Sequence, residues 1–396
     1  MLTQHTIDII KATVPAVSVH ANDITAHFYP LMFREYPEVK RFFNQKNQAG
    51  NAQPKALANA LVAYAANIDN LSVLEKAVSV IVNKHVVLDI QPAHYEIVGE
   101  CLLKAIKAVL GDAATDEVID AWGLAYWQLA DLLIGAEEAV YSANEEEKGM
   151  WRGEREFRVT TKAAESDNIM SFYLTPTDGE PAPSFTPGQF LGLVLNIDGE
   201  ETRRQYSLSD SPNSEYLRIS VKREEGGAVS NYLHDRIQAG DTLHVLAPAG
   251  DFILKDNNKP VVLVTGGVGI TPAISMLNSL KGTDRPIHFI HAAMNTKVHA
   301  FRDHVTNLAA ENENIKPYFV YSDATSECKP DATGFINLAM LEDKIGDDRD
   351  VEFYFLGPKP FMQAMNGFAP KLGIPAENVH FEFFGPSEDL NINPTA

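Results

Sequence analysis

The chain has 396 residues, too many for one ordinary hydrophobic core, so two or three domains are expected. Its make-up, 45% hydrophobic and 22% charged, is that of a globular protein, and a formal charge of −20 argues against nucleic acid as a partner. Two cysteines, Cys101 and Cys328, exclude a disulfide framework and a cysteine-rich metal site. No apolar run is long enough to span a bilayer, so a cytoplasmic protein without a transmembrane anchor is expected.

Residues 1–142 read as helices. Leu57, Leu61, Tyr64 and Ile68 recur at helical spacing, as do Val98, Leu102, Ala105 and Val109. Residues 116–141 carry Trp122, Tyr126, Leu129 and Leu133 in another long apolar pattern, and an all-α domain follows. Residues 143–153 hold the charged run Glu145-Glu146-Glu147-Lys148-Gly149, which suits a linker; its first half also suits the solvated end of the last helix. From Phe157 the period becomes two. Residues 157–162 and Leu217–Lys222 alternate, and Pro187-Gly188 and Pro248-Ala249-Gly250 read as turns. Residues 154–257 are therefore expected to form an antiparallel β-barrel or sandwich. After Pro260, strands at 261–264, 287–291, 318–321 and 353–356 alternate with helical patterns such as 271–280. That βαβ order predicts an α/β domain with a mostly parallel sheet over 258–396.

The helical region contains Phe28-Tyr29, Arg41-Phe42-Phe43-Asn44, Gln53, Leu57 and Lys84-His85 in that order. This order resembles bacterial flavohemoglobins, and the resemblance implies a haem b globin. Haem iron needs a neutral imidazole nitrogen. Any lone helical histidine is more often a core or surface residue, but the set around His85 favours it as the proximal ligand over His5, His20, His27 and His94. The resemblance further implies Tyr29 as a hydroxyl donor to bound oxygen, and Phe43, Gln53 and Leu57 as pocket lining. It places Tyr95 and Glu137 behind the histidine, where an accepting partner raises its donor strength. Pro54 is expected to keep Gln53 out of helical geometry.

Arg204-Gln205-Tyr206-Ser207 is similar to the R-x-Y-S signature of the ferredoxin–NADP reductase superfamily. Arginine forks onto the FAD pyrophosphate, tyrosine stacks on the flavin, and serine bonds its redox-active edge. Phe190 lies in the preceding Pro-Gly-Gln-aromatic element. Gly227 and Ser230 belong to a glycine-rich segment read both as a hairpin and as a second flavin element. Phe383, Phe384, Gly385 and Pro386 match a terminal flavin cover, with Phe383 where the family often has cysteine; Lys84 and Glu382 are implied to tune electron transfer.

Gly267-Val268-Gly269-Ile270-Thr271-Pro272 follows a strand and opens a helix, the context in which glycines admit a phosphate to helix N-terminal N–H groups. Gly357, Pro358 and Met362 resemble the superfamily's nicotinamide loop, with Leu356 in place of its usual cysteine. With no arginine near the end of the second strand until Arg302, NADH is expected over NADPH. The resemblance implies a nitric oxide dioxygenase acting on O2 and nitric oxide, expected to be a monomer. A haem or alkyl hydroperoxide reductase and an oxygen or redox sensor are the alternatives.

Overall fold

The computed structural model describes residues 2–43, 52–147 and 149–385, save the side chains of residues 52, 53 and 55. The side chain of Gln53 and all of Pro386 therefore lie outside the described residues. The chain forms two compact units: Met1–Glu154 with Gly192–Gln205 and Gly385, and Arg155–Leu191 with Tyr206–Phe384.

The first unit is built on helices α1 (Gln4–Val19), α2 (Ala21–Glu35), α3 (Ala52–Ala66), α4 (Glu75–Val86), α5 (Pro92–Leu110) and α6 (Asp116–Glu146). Thr3 and Thr115 start α1 and α6 by accepting the N–H groups of Thr6 and Val118, at 3.2 and 3.3 Å. Leu61, Tyr64, Leu102, Ala105 and Trp122 are buried in the helical core, joined by Ile68 beyond the end of α3; Leu57, Val98 and Val109 pack against it half-buried. Two expectations change here. The helix α3 includes Gln53, because Pro54 falls in its first turn, where a missing N–H removes no intrahelical bond. And α6 runs to Glu146, so the first part of the charged run is a helix end.

The first sheet contains β1 (Glu154–Ala164), β2 (Ile169–Pro176), β3 (Phe190–Ile197), β4 (Glu200–Ser207), β5 (Leu217–Lys222) and β6 (Thr242–Ala249), in the order β4-β3-β6-β1-β2-β5. Strands β1 and β2 are antiparallel, with Phe157 opposite Pro176, and so are β2 and β5, with Ile169 opposite Lys222. Just past β4, Leu208 bridges antiparallel to Ile219 of β5, and the Ser209 N–H donates to the Arg218 carbonyl at 2.8 Å. The two ends of the strand order thereby meet at one bridge. Pro248 and Ala249, expected in a turn, belong to β6; the chain turns at Gly250, whose φ of +131° requires glycine. The glycine-rich segment after β5 leads into helix α7 (Ala228–Asp235) and is not a hairpin.

The second sheet is parallel throughout: β7 (Val261–Gly266), β8 (Ile287–Ala293), β9 (Ile315–Tyr321), β10 (Ala332–Thr333), β11 (Glu352–Leu356) and β12 (Val379–Phe381), ordered β10-β9-β8-β7-β11-β12. Helices α8 (Ile270–Ser279) and α9 (Arg302–Glu311) bury Ile274, Leu277, Val305 and Leu308 in the core of one face. Helices α10 (Leu338–Ile345) and α11 (Lys359–Phe368) bury Leu341, Met362 and Met365 in the core of the other. The strand order reverses between β7 and β11, and such a reversal opens a crevice at the carboxyl ends of the strands.

Candidate functional sites

In the helical unit, α4 carries His85 in its last turn. The His85 Nδ1 lies 2.7 Å from Glu137 Oε1 of α6 and 3.0 Å from the Tyr95 hydroxyl of α5. Tyr95 donates to the same carboxylate oxygen at 2.5 Å. Glu137 is 3% exposed. Burial above all, and then the charge of Glu137, push the Tyr95 hydroxyl far above its ordinary pKa, so it remains a donor. A carboxylate can only accept, so Nδ1 carries the proton and Nε2 keeps its lone pair. A carboxylate behind a histidine is the arrangement that orients a metal-binding imidazole. The local fold enforces it. Tyr126 donates to the Tyr95 carbonyl at 2.5 Å, and a Cβ on Gly99 would come within 2.5 Å of the Tyr126 ring.

Tyr29 is buried, with its ring edge-on to Phe28 at 4.9 Å and to Phe43 at 5.7 Å between centroids. Leu57 packs half-buried against the same cluster. Three of the other histidines have other work: His94 Nδ1 accepts the Gln91 N–H at 2.9 Å and completes the cap of α5, while His5 and His20 pair with Glu117 and Asp23. The Lys84 ammonium donates to the Gly385 carbonyl at 2.5 Å.

On β4, side chains alternate between two faces. Arg203 and Gln205 share one; Arg204 and Tyr206, both half-buried, share the other, and Ser207 is buried. Gly188, at φ +106°, lies where any Cβ would collide with the Phe252 carbonyl, and a Cβ on Gly250 would meet the Phe190 ring at 2.9 Å. These glycines seat Phe190 at the start of β3. Ahead of α7, Ser230 Oγ accepts the Glu224 N–H at 3.1 Å, and a Cβ on Gly227 would approach that oxygen to 2.6 Å. Phe383 is half-buried and Phe384 exposed.

The loops after β7 and β11 pack against each other at the sheet's reversal. Gly267 takes a φ of +55°. A Cβ on Gly269 would strike the Leu356 carbonyl, one on Gly266 would lie 3.2 Å from Pro358, and one on Gly357 2.6 Å from Phe361. Thr271 Oγ1 donates to the Val268 carbonyl at 3.1 Å, Pro272 sits in the first turn of α8, and Met362 is buried. Leu356 fills core beneath Gly269. Under this crest lies a network that sequence patterns did not reveal. Thr265 bonds His291 Nδ1 at 2.7 Å, Tyr321 bonds His299 Nδ1 at 2.8 Å, and the two imidazole centroids are 4.5 Å apart.

Models of three families match consecutive stretches: globin over residues 26–133, an oxidoreductase FAD-binding domain over 156–253, and an oxidoreductase NAD-binding domain over 263–367. The chain is 52% identical over 384 residues to a flavohemoprotein of Pseudomonas aeruginosa, covering 97% of this chain and 98% of that one. It is 47% identical to one of Bacillus anthracis, covering 98% and 100%. Among solved structures, a Malassezia yamatoensis flavohemoglobin with bound FAD and haem aligns at a TM-score of 0.86 and 25% identity, covering 97% of this chain and 100% of that one. The FAD- and NAD-binding domain of a Vibrio cholerae nitric oxide dioxygenase aligns at 0.55 and 34% identity, covering 59% and 100%. The chain thus joins a globin to FAD- and NAD-binding oxidoreductase domains. No helix among the described residues is long and apolar enough to cross a membrane.

Proposed function

The chain belongs to the flavohemoprotein family, and from that premise we propose that it is a nitric oxide dioxygenase, drawing electrons from NADH to convert nitric oxide and O2 to nitrate. The observation that carries this reading is the Glu137–Tyr95–His85 constellation. A histidine backed by a buried carboxylate is a stronger donor than one backed by a carbonyl, which suits oxygen activation better than oxygen storage. The donor set fits haem: Nδ1 is occupied, Nε2 retains its lone pair, and an apolar cluster that includes the buried Tyr29 lies in the same unit. When bound, haem, FAD and NADH would supply the redox chemistry.

The chain's own residues position these groups. His85 would hold the haem iron, Tyr29 would offer its hydroxyl to a bound ligand, and Phe43 and Leu57 would exclude water. Arg204 neutralises the FAD pyrophosphate, Tyr206 and Phe190 flank the flavin, and the α7 N-terminus with Gly227 and Ser230 meets its phosphates. The Gly267–Gly269 turn and the start of α8 receive the NADH pyrophosphate, while Gly357, Pro358 and Met362 frame the nicotinamide. The proposed domains are 1–142, 154–257 and 258–396 with a linker between the first two. The protein would act as a cytoplasmic monomer. The nitric oxide substrate is supported by the Vibrio cholerae relative, which is named a nitric oxide dioxygenase. Purified holoprotein given NADH and O2 should convert nitric oxide to nitrate far faster than it consumes alkyl hydroperoxide; the reverse preference would overturn the assignment.

A further inference from the structure

Arg203 stands just before the flavin motif and belongs to none of the sites described above. It is 5% exposed, an unusual place for a guanidinium, and its side chain is fully engaged within the helical unit. Its Nη1 donates to the Leu88 carbonyl at 2.8 Å and reaches Asp89 Oδ2 at 3.4 Å. Its Nε meets Glu201 at 2.9 Å, its Nη2 meets Glu154 at 3.2 Å, and its guanidinium carbon lies 5.3 Å from the Phe42 ring centroid. Two positions along β4, Gln205 Nε2 donates to the Lys84 carbonyl at 3.0 Å.

Both contacts fall on the end of α4 that carries His85. The carbonyl of Lys84 takes Gln205, and the corner at Leu88 and Asp89 takes Arg203. Between them the His85 carbonyl accepts the N–H groups of Leu88 and Ile90, at 3.0 and 3.1 Å, so the histidine's backbone is tied to that corner. Asp89 has a φ of +58°, a left-handed conformation that aspartate adopts at a cost. Arg203, together with the Gln91 amide on Asp89 Oδ1 at 2.7 Å, holds it there. The opposite face of β4 presents Arg204 and Tyr206, the residues assigned to FAD.

We propose that Arg203 is a positioning residue for flavin-to-haem electron transfer: with Gln205 it braces the His85 helix on the flavin-binding strand, so that FAD on one face of β4 sets the proximal histidine from the other. This rests on the haem and flavin reading above. A change of β4 on FAD binding reaches His85 through two carbonyl groups and one corner. Loss of Arg203 would remove the cation that Asp89, Glu154 and Glu201 share, leaving Glu201 with Arg41 at 3.5 Å and the corner unbraced.

The test uses full-length protein loaded with haem and FAD. In the wild type, the iron–histidine stretching band of the ferrous haem, read by resonance Raman, should shift when FAD is removed. In Arg203→Met that band should no longer respond to FAD. Stopped-flow haem reduction by the flavin should slow on the order of tenfold, as expected of a misplaced donor–acceptor pair, while flavin reduction by NADH keeps its rate. Arg203→Lys keeps the charge but not the fork, and should show the same uncoupling if Arg203→Met fails to fold. A wild-type band indifferent to FAD would overturn the proposal without any variant, as would unchanged transfer and an unchanged FAD response in either variant. Failure of NADH to reduce the flavin or haem of the wild type would instead overturn the functional reading.

Discussion

Glu137 and Glu138 are neighbours with opposite surroundings. Glu138 is exposed and paired with Arg152 at 2.7 Å, whereas Glu137 is buried against His85 and Tyr95. Replacing Glu137 by Gln keeps the shape but removes the anion behind the histidine. Nitrate formation should fall about 10- to 100-fold with NADH-to-flavin transfer intact, and an unchanged turnover would refute the role assigned to the charge. His85→Ala should yield protein with FAD absorbance but without stably bound haem; a normal ferrous spectrum would sink the ligation. His85, Tyr95 and Glu137 are legible in the sequence only through the resemblance to flavohemoglobins, since each alone reads as an ordinary helix residue. Arg203 was illegible there. A charged residue predicts exposure, and only the fold gathers the Leu88 carbonyl and three carboxylates that permit its burial. The paired His291 and His299 were hidden likewise, since each alone reads as a core histidine.

Among elements, the turn from β7 into α8 depends on one missing methyl group. A Cβ on Gly269 would press on the Leu356 carbonyl, which is backbone and cannot swing aside. Gly269→Ala should therefore displace the loop and raise the KM for NADH, with FAD content and haem spectrum retained; a wild-type KM would show that the loop does not hold the cofactor. The order of helical, antiparallel and alternating β/α regions is legible from periodicity, though strands such as Ile169–Pro176 and Thr242–Ala249 carry no such signal. Boundaries failed where local punctuation met a tertiary constraint. Pro54 was read as a helix breaker, but the first turn of a helix has no N–H bond to lose. Pro248 was read as a turn, yet β6 runs through it to Ala249. Of the two readings of the segment at Gly227, the hairpin does not form: Gly227 caps α7 instead.

At the scale of the molecule, two expectations concern pH and cofactor choice. Burial holds His291 at a pKa of about 3, and burial, with help from His291 and Arg302, holds His299 at about 2. Unfolded, each takes up a proton near pH 6.5; folded, neither does until far lower. The folded values are depressed, so stability is fully present above about pH 6.5 and is lost as the pH falls toward the folded pKa, by up to about 1.4 kcal/mol per unit for each group. Urea unfolding at pH 7 and pH 5 should show this loss, and His299→Gln should shrink it; a loss unchanged in that variant would exclude His299 as its source. For the nicotinamide, β8 ends at Ala293, and the Asp323 N–H donates to the Met294 carbonyl at 2.8 Å, which brings an acidic residue to the strand end where a 2′-phosphate would need a cation. The kcat/KM for NADH should exceed that for NADPH, and parity would mean that Lys297 reaches the site.

The bridge from Leu208 to Ile219 has a consequence for the protein when it carries no flavin. An open row of amides is what recruits strands from other chains, and this bridge ties the end of the β4 edge to β5. In the parallel sheet the two edge strands, Ala332–Thr333 and Val379–Phe381, are too short to template a partner. Freshly synthesised chains awaiting FAD should accordingly resist aggregation, and their amides at Leu208 and Ser209 should exchange slowly with deuterated solvent.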